Sequence, residues 1–201
     1  PLMQVLAAGN RAMIKPSEFT PATSERMREL VADAFGEDEV AVVTGGPDVA
    51  QAFSSLPFDH LVFTGSTETG RKVMEAAAKN LVPVTLELGG KSPTIIGKGA
   101  DLKRAGERIA LGKMLNAGQI CLAPDYLLVP EDQEEGVVAA VQLGVHEMYP
   151  TLLDNEDYTA IISDKHFERL KGLVDDAKAK GAEVIEVNPA GENFSSANTR
   201  K

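Results

Sequence analysis

Short apolar runs alternate with helical patterns along the first half of the chain. The runs at 12–15, 40–43 and 60–63 are almost wholly apolar, and each leads into a turn rich in glycine, proline or small polar residues. Between them, apolar residues recur at the three- and four-residue spacing of an amphipathic helix. Apolar strands that alternate with helices predict an α/β fold whose parallel sheet is covered by helices on both faces.

The pattern changes after Pro83. The elements predicted from there on are extended stretches at 84–88 and 93–96, a strand at 126–129, and helices over 101–115, 131–148 and 164–180. Gly89-Gly90 joins the two extended stretches and marks the best place for a domain boundary. We predict a Rossmann-like, cofactor-type parallel sheet over residues 1–88 and a second α/β layer over residues 89–201.

Composition and charge exclude several classes of protein. The chain has 201 residues, 43% of them hydrophobic, which is enough for a sizeable core. Its net charge of −10 repels nucleic-acid phosphates and anionic lipid surfaces, so we expect it to bind neither. No stretch approaches the run of about 20 apolar residues that a membrane span requires. A single cysteine forms no internal disulfide, so we expect a reducing compartment, the cytoplasm.

Two segments contain the residue types that bind a dinucleotide. Residues Gly65 to Gly70 link a strand to a helix, where backbone N–H groups and the helix dipole attract phosphate. A simple turn capped by Ser66 or Thr67 fits this segment equally well. Residues 15–18, Lys-Pro-Ser-Glu, leave the end of a strand, where the carboxylate suits ribose hydroxyls and the lysine suits a hydroxyl or phosphate. A solvated charged turn is the plainer interpretation of this tetrapeptide.

Glu87 lies at the end of an apolar strand, directly before two glycines. Partial burial at such a position disfavours the charged carboxylate and suits a general base that works near neutral pH. A structural ion pair, for example with Lys91, is an equally good interpretation.

Cys121 lies in a loop bounded by Gly118 and Pro124, after a predicted helix and before a predicted strand. A lone cysteine is most often an inert buried thiol. Near helix-end dipoles and backbone N–H groups, a loop thiol instead loses its proton more easily and becomes a nucleophile. The residues around Cys121 leave both interpretations open.

Taken together, four motifs resemble those of the NAD(P)-dependent aldehyde dehydrogenase family, and the resemblance covers essentially the whole chain. They are Lys-Pro-Ser-Glu at 15–18, Phe-Thr-Gly-Ser-Thr-x-x-Gly at 63–70, Glu-Leu-Gly-Gly-Lys at 87–91 and Gly-Gln-x-Cys at 118–121. Within the family, residues 121–126 resemble the class 3 branch, and the segment from Met148 is similar to bacterial coniferyl aldehyde dehydrogenases.

The resemblance implies an oxidoreductase that converts an aldehyde to a carboxylic acid with NAD(P). It implies that residues 1–88 are part of an NAD(P)-binding domain and residues 89–201 part of a catalytic domain, both incomplete in this chain. It implies that Cys121 attacks the aldehyde, giving a thiohemiacetal and then a thioester, and that Glu87 activates the water that hydrolyses the thioester. The implied cofactor-binding residues are Lys15, Glu18, Gly65, Ser66, Thr69, Gly70, Leu88 and Gly89. Glu18 favours NAD over NADP, because a carboxylate at the ribose hydroxyls disfavours a 2′-phosphate.

The resemblance also implies an aromatic, coniferyl-type or long-chain aldehyde as substrate and a homodimer or homotetramer. The histidines, which are His60, His146 and His166, fit no metal-site spacing, so we expect no metal site. The resemblance places the family's oxyanion asparagine before Pro1 and its Glu-x-Phe-Gly-Pro motif after Lys201. Loss of one oxyanion donor costs about 10²–10³ in rate, so we expect little turnover from residues 1–201 alone.

Two other functions are compatible with parts of this sequence. In the first, the acyl group passes from Cys121 to phosphate or coenzyme A rather than to water. Glu87 argues against this, because hydrolysis is the reaction that needs such a base. In the second, the chain is a non-enzymatic binding or structural protein, which would be expected to lack Cys121 or Glu87.

Overall fold

The structure, a computed structural model, describes residues 1–196 and 199–201. The helices and strands in chain order are α1 (Leu2–Ala7), β1 (Ala12–Ile14), α2 (Pro21–Ala34), β2 (Val40–Val42), α3 (Pro47–Ser54), β3 (Leu61–Thr64), α4 (Thr67–Ala78), β4 (Val84–Glu87), β5 (Ser92–Ile95), α5 (Leu102–Met114), β6 (Pro124–Leu128), α6 (Glu134–Met148) and α7 (Asp164–Ala179). Short 3₁₀ turns cover Leu115–Gly118, Glu131–Gln133 and Phe194–Ser196. The chain divides into two compact units, Pro1–Gly89 and Gly90–Lys201. The assignment of the predicted domains to cofactor binding and catalysis stays a prediction.

Two parallel ladders organise the first unit. Strand β1 pairs with β2, and β3 pairs with β4 from Leu61 opposite Val84 to Thr64 opposite Glu87. Parallel neighbours need a long crossover connection, which α2 provides in the first ladder and α4 in the second. The predicted α/β fold with parallel strands is therefore confirmed.

The core of the first unit forms where α4 packs on the β3–β4 ladder. Its buried residues are Leu61, Val73, Ala77 and Val82, with Phe58, Phe63 and Val84 packed against them. Successive side chains of a strand point to opposite faces, so burial alternates along β4. Val84 and Leu86 point inward, whereas Thr85 and Glu87 are exposed.

The second unit contains one parallel ladder, in which β5 pairs with β6. The register shifts at its start, because Ser92 lies opposite Pro124 but Pro93 lies opposite Tyr126. Pro93 and Pro124 both lie at this point and have no N–H to donate to the ladder. The register shift is a β-bulge, which leaves Asp125 without a partner residue in β5. The carboxylate of Asp125 forms an ion pair with Lys91, at 2.7 Å.

Helices α5 and α6 pack closely together because glycines lie at their interface. A Cβ at Gly106 would fall against the backbone of Ala140, and a Cβ at Gly144 would lie 2.9 Å from both the Cβ of Ala110 and the carbonyl oxygen of Gly106. The buried residues Ile96, Ile109 and Val137 form the adjacent core. This packing fixes the end of α5, from which the loop to Cys121 leaves.

Element ends differ from the predicted ones in ways that have local causes. The helix predicted from 131 starts as a 3₁₀ turn after Pro130 and becomes α-helical at Glu134. The strand predicted from 126 begins at Pro124, because pairing with β5 extends it. Thr20 directly precedes α2, but its hydroxyl donates to the carbonyl of Ser17 and does not cap the helix.

Candidate active site

The loop that carries Cys121 begins with an unusual backbone. After α5, Asn116 and Ala117 both have φ of 53° and Gly118 has φ of 72°. Three successive residues are thus in the left-handed region, which costs about 1–2 kcal/mol for a residue other than glycine. Asparagine tolerates this conformation better than alanine does, so Ala117 carries most of the strain. Strained backbone of this kind clusters at functional sites and persists only where its surroundings hold it.

Cys121 itself occupies a tight turn. The N–H of Ala123 donates to the carbonyl of Ile120 at 3.1 Å, so Cys121 and Leu122 are the two central residues. Cys121 is exposed. Of the two interpretations of this residue, an inert thiol in a packed core does not fit an exposed turn, whereas an accessible nucleophile does.

Gly90 lies directly against the backbone of Cys121. Because β5 and β6 run parallel, the residues that precede them are neighbours, and a Cβ at Gly90 would fall on the carbonyl oxygen of Cys121. Glycine is therefore required here for close approach rather than for an unusual φ. Sequence reasoning gave Gly90 only a linking role, since its contact with residue 121 arises from strand pairing.

Glu87 does not have the environment predicted for it. We expected partial burial, or an ion pair with Lys91; Glu87 is exposed, and Lys91 pairs with Asp125 instead. Glu87 is exposed because the register of β4 on β3 turns Leu86 inward and the next side chain outward. Its carbonyl accepts the N–H of Gly65 at 3.0 Å, so the ladder brings two of the predicted motifs together.

The turn from Gly65 to Gly70 enters α4. Ser66 is the N-cap, and its hydroxyl oxygen accepts the N–H of Thr69 at 3.1 Å and lies 2.9 Å from the hydroxyl of Thr69. A Cβ at Gly65 would meet the ring of Phe63, and one at Gly70 would lie 2.9 Å from Leu88. The simple capped turn is thus present, and the side chains of Phe63 and Leu88 pack closely against the two glycines.

Lys15 and Glu18 meet at the end of β1. The ammonium of Lys15 donates to the carboxylate of Glu18 at 2.9 Å, and the Lys15 side chain is only 10% exposed. This hydrogen bond, together with one from the backbone of Glu18, holds the pKa of the Glu18 carboxyl below its usual value, although burial opposes the shift. Glu18 therefore remains a charged acceptor, as the ribose interpretation requires. Gly89, another of the predicted cofactor-binding residues, has open space around it: apart from its chain neighbours, no described atom lies within 4 Å of where its Cβ would be.

Other kinds of site find no support in the described residues. Within 1–196 and 199–201, no three His, Cys, Asp or Glu side chains form a group that would hold a metal ion. His60 uses its Nε2 atom in a hydrogen bond with the hydroxyl of Thr85, at 2.9 Å. Among the helices described, none has the length and apolar character needed to cross a membrane.

Comparison with known proteins agrees with this fold and these motifs. The profile of the aldehyde dehydrogenase family matches residues 1–196, and the chain belongs to that family. It is 61% identical over 201 residues to a protein of Caulobacter vibrioides named probable coniferyl aldehyde dehydrogenase, covering 100% of this chain and 41% of the relative. It is 42% identical over 188 residues to the Rattus norvegicus aldehyde dehydrogenase family 3 member A2, covering 92% and 39%. The resemblance to class 3 and coniferyl-type sequences is thus confirmed.

A solved structure shows the same architecture. The aldehyde dehydrogenase of Mycobacterium tuberculosis, crystallised in complex with NAD+, superposes with a TM-score of 0.79 at 34% identity, over 89% of this chain and 38% of that one. The chain spans about two fifths of the length of the relatives that it matches.

Proposed function

We propose that the protein carrying this chain oxidises an aldehyde to a carboxylic acid with NAD, and that Cys121 is its nucleophile. The observation that carries the proposal is the exposed thiol of Cys121 at the centre of a tight turn, against Gly90 and after a strained loop, in a member of this family. An exposed thiol in a fixed turn can meet a substrate carbonyl from a defined direction.

In the first step the Cys121 thiolate attacks the carbonyl carbon, and the carbonyl oxygen becomes the oxyanion of a thiohemiacetal. The backbone N–H of Cys121 is suited to stabilise this oxyanion, because a preorganised donor aimed at developing charge stabilises it. Loss of hydride from the same carbon restores the carbonyl and leaves a thioester on Cys121.

The residues of the first unit suit NAD binding. The charged carboxylate of Glu18 and the ammonium of Lys15 would hold the adenosine ribose, and the turn at the start of α4 would lie beneath the pyrophosphate. The full proposed set is Lys15, Glu18, Gly65, Ser66, Thr69, Gly70, Leu88 and Gly89. The cofactor supplies the hydride acceptor when bound. A charged Glu18 repels a 2′-phosphate, so NAD is favoured over NADP.

Glu87 is proposed as the general base of the second half-reaction. Its carboxylate takes a proton from a water molecule, whose oxygen attacks the thioester carbon; the carbon–sulfur bond breaks and the acid leaves. Its exposed position on β4 is compatible with contact to water. Water as acyl acceptor distinguishes this proposal from transfer to phosphate or coenzyme A.

An aromatic, coniferyl-type aldehyde is the proposed substrate, with a long-chain aldehyde as the alternative. The name of the Caulobacter relative supports the first. Leu122 follows the nucleophile in its turn and is 72% exposed, which offers an apolar contact for either. A cytoplasmic homodimer or homotetramer stays part of the proposal.

The test uses the whole protein and follows NADH absorbance with an aromatic aldehyde. Cys121→Ala should abolish NADH formation. Glu87→Gln should still release a burst of about one NADH per site and then turn over slowly, because the thioester forms but is not hydrolysed. Glu168→Gln, the same change on the exposed face of α7, is the matched control.

Each alternative function predicts a different result. Acceleration of the Glu87→Gln enzyme by coenzyme A or phosphate to the wild-type rate would support acyl transfer instead of hydrolysis. Full activity in Cys121→Ala would refute the proposed mechanism, and a wild-type protein that binds NAD but oxidises no aldehyde would support a binding protein.

A further inference from the structure

Gln119 belongs to the Gly-Gln-x-Cys motif, but the chemistry above gives its side chain no role. In the structure both ends of its amide are used. The Nε2 atom donates to the carbonyl of Asn116 at 3.0 Å and to that of Ala160 at 3.2 Å, and the Oε1 atom accepts the N–H of Ile162 at 2.9 Å. Two of these three partners lie about 40 residues further along the chain.

The contacts with Ala160 and Ile162 have the pattern of a parallel ladder. A strand residue in such a ladder donates to the carbonyl before its partner and accepts the N–H after it. The Gln119 amide does the same on either side of Ile161, so it takes the place of a strand residue.

The segment 160–162 is itself held from another direction. The N–H of Ile161 donates to the carbonyl of Arg200 at 3.1 Å. The ammonium of Lys201 donates to the carbonyls of Leu153 and Asn155, at 3.0 and 2.6 Å. Ile161 is thus tied to Arg200, and the next residue, Lys201, is tied to residues 153 and 155. Residues 160–162 therefore provide a fixed support for the amide of Gln119.

Along the chain, Gln119 lies between the two features that define the Cys121 loop, residues 116–123. It directly follows the left-handed residues 116–118 and directly precedes the turn from Ile120 to Ala123. The side-chain amide of Asn116 donates to the carbonyl of Gln119 at 3.3 Å. A strained loop keeps one conformation only if its surroundings over-determine it, and Gln119 supplies hydrogen bonds that reach outside the loop.

We propose that Gln119 is a positioning residue, whose amide ties the Cys121 loop to residues 160–162 and so holds the thiol in the geometry that attack on the aldehyde requires. The inference rests on the proposed role of Cys121 as nucleophile. It requires an amide, since the site needs one donor and one acceptor together. Glutamate has the same shape but offers acceptors only at the carbonyl of Ala160.

The test compares variants of the whole protein that break the contact from its two ends. Gln119→Glu removes the donor, and Ile162→Pro removes the N–H that the amide accepts. Gln51→Glu, an exposed residue of α3, is the chemically matched control, and Cys121→Ala is measured in the same series. The readouts are kcat per site, with the sites titrated by NAD binding in calorimetry, the Kd for NAD from the same titration, and the melting temperature.

If Gln119 positions the thiol, both variants lose kcat per titrated site by roughly 10- to 100-fold, as expected for small misplacements of a reacting group. Their Kd for NAD stays that of the control, because the proposed cofactor residues lie in the other unit. A purely structural role would lower the melting temperature and the number of active sites but not kcat per site.

Wild-type kcat per site in either folded variant overturns the inference. Failure of both variants to fold overturns it too, because the amide would then hold the fold rather than the thiol. Activity in Cys121→Ala would instead refute the proposed function, and that result is read independently of Gln119.

Discussion

Adding a single methyl group at Gly90 should displace the backbone of Cys121 and slow its reaction. The Cβ of Gly90→Ala would fall on the carbonyl oxygen of Cys121, well inside the 3.0 Å that real Cβ atoms essentially never pass, and 3.5 Å from the carbonyl carbon. Both atoms belong to the backbone, so no flexible side chain can give way. One of the two segments must shift, and a misplacement of about 1 Å at a reacting group costs on the order of 10²-fold in rate.

The effect of Gly90→Ala is separable from a loss of stability. Gly90 has no left-handed φ, so alanine is conformationally allowed there, and overpacking costs about 1–3 kcal/mol, which leaves most of the protein folded. Gly97→Ala is the matched control, since no described atom lies within 4 Å of its Cβ. With kcat measured from NADH formation by the whole protein, a Gly90→Ala enzyme as fast as Gly97→Ala would refute the reasoning.

Three further predictions concern single side chains. Ser66→Ala removes the cap that accepts the N–H of Thr69 and should lower the free energy of unfolding in urea by about 1 kcal/mol; an unchanged midpoint and slope would contradict this. Gly172→Ala, with open space around its Cβ among the described atoms of α7, should raise that free energy by about 1 kcal/mol, and a lower melting temperature would argue against it. Glu18→Gln should weaken NAD binding by roughly 10- to 100-fold in calorimetry. Because the Glu18 pKa is depressed, the wild type should keep this advantage down to its ordinary pKa of 4.5 and lose it only below, so loss at a higher pH would contradict the assignment.

The features that sequence reasoning predicted well depend on nearby residues. The cap at Ser66 spans three positions, and the alternation of strands and helices is a local pattern as well. Such contacts are set by turn chemistry and periodicity, which the sequence displays directly.

The features that it predicted poorly depend on strand register. Whether Glu87 points inward depends on how β4 aligns with β3, since a shift of one residue would exchange the two faces. The partner of Lys91 likewise depends on the bulge that leaves Asp125 out of register. The contacts of Gln119 join residues about 40 positions apart, and no short motif indicates them.

The contacts that fix the Cys121 loop act on its backbone and leave the thiol free. Gly90 lies against the carbonyl of residue 121, and the N–H of Ala123 closes the turn. The side-chain amide of Gln119 forms hydrogen bonds with the main chain of residues 160 and 162. A nucleophile held by contacts to its own side chain would have to break them to reach a substrate. A thiol held through its backbone stays exposed and needs no such rearrangement, so substitutions at Gly90 and Gln119, which carry no reactive group, should still lower the rate of attack by roughly 10- to 100-fold.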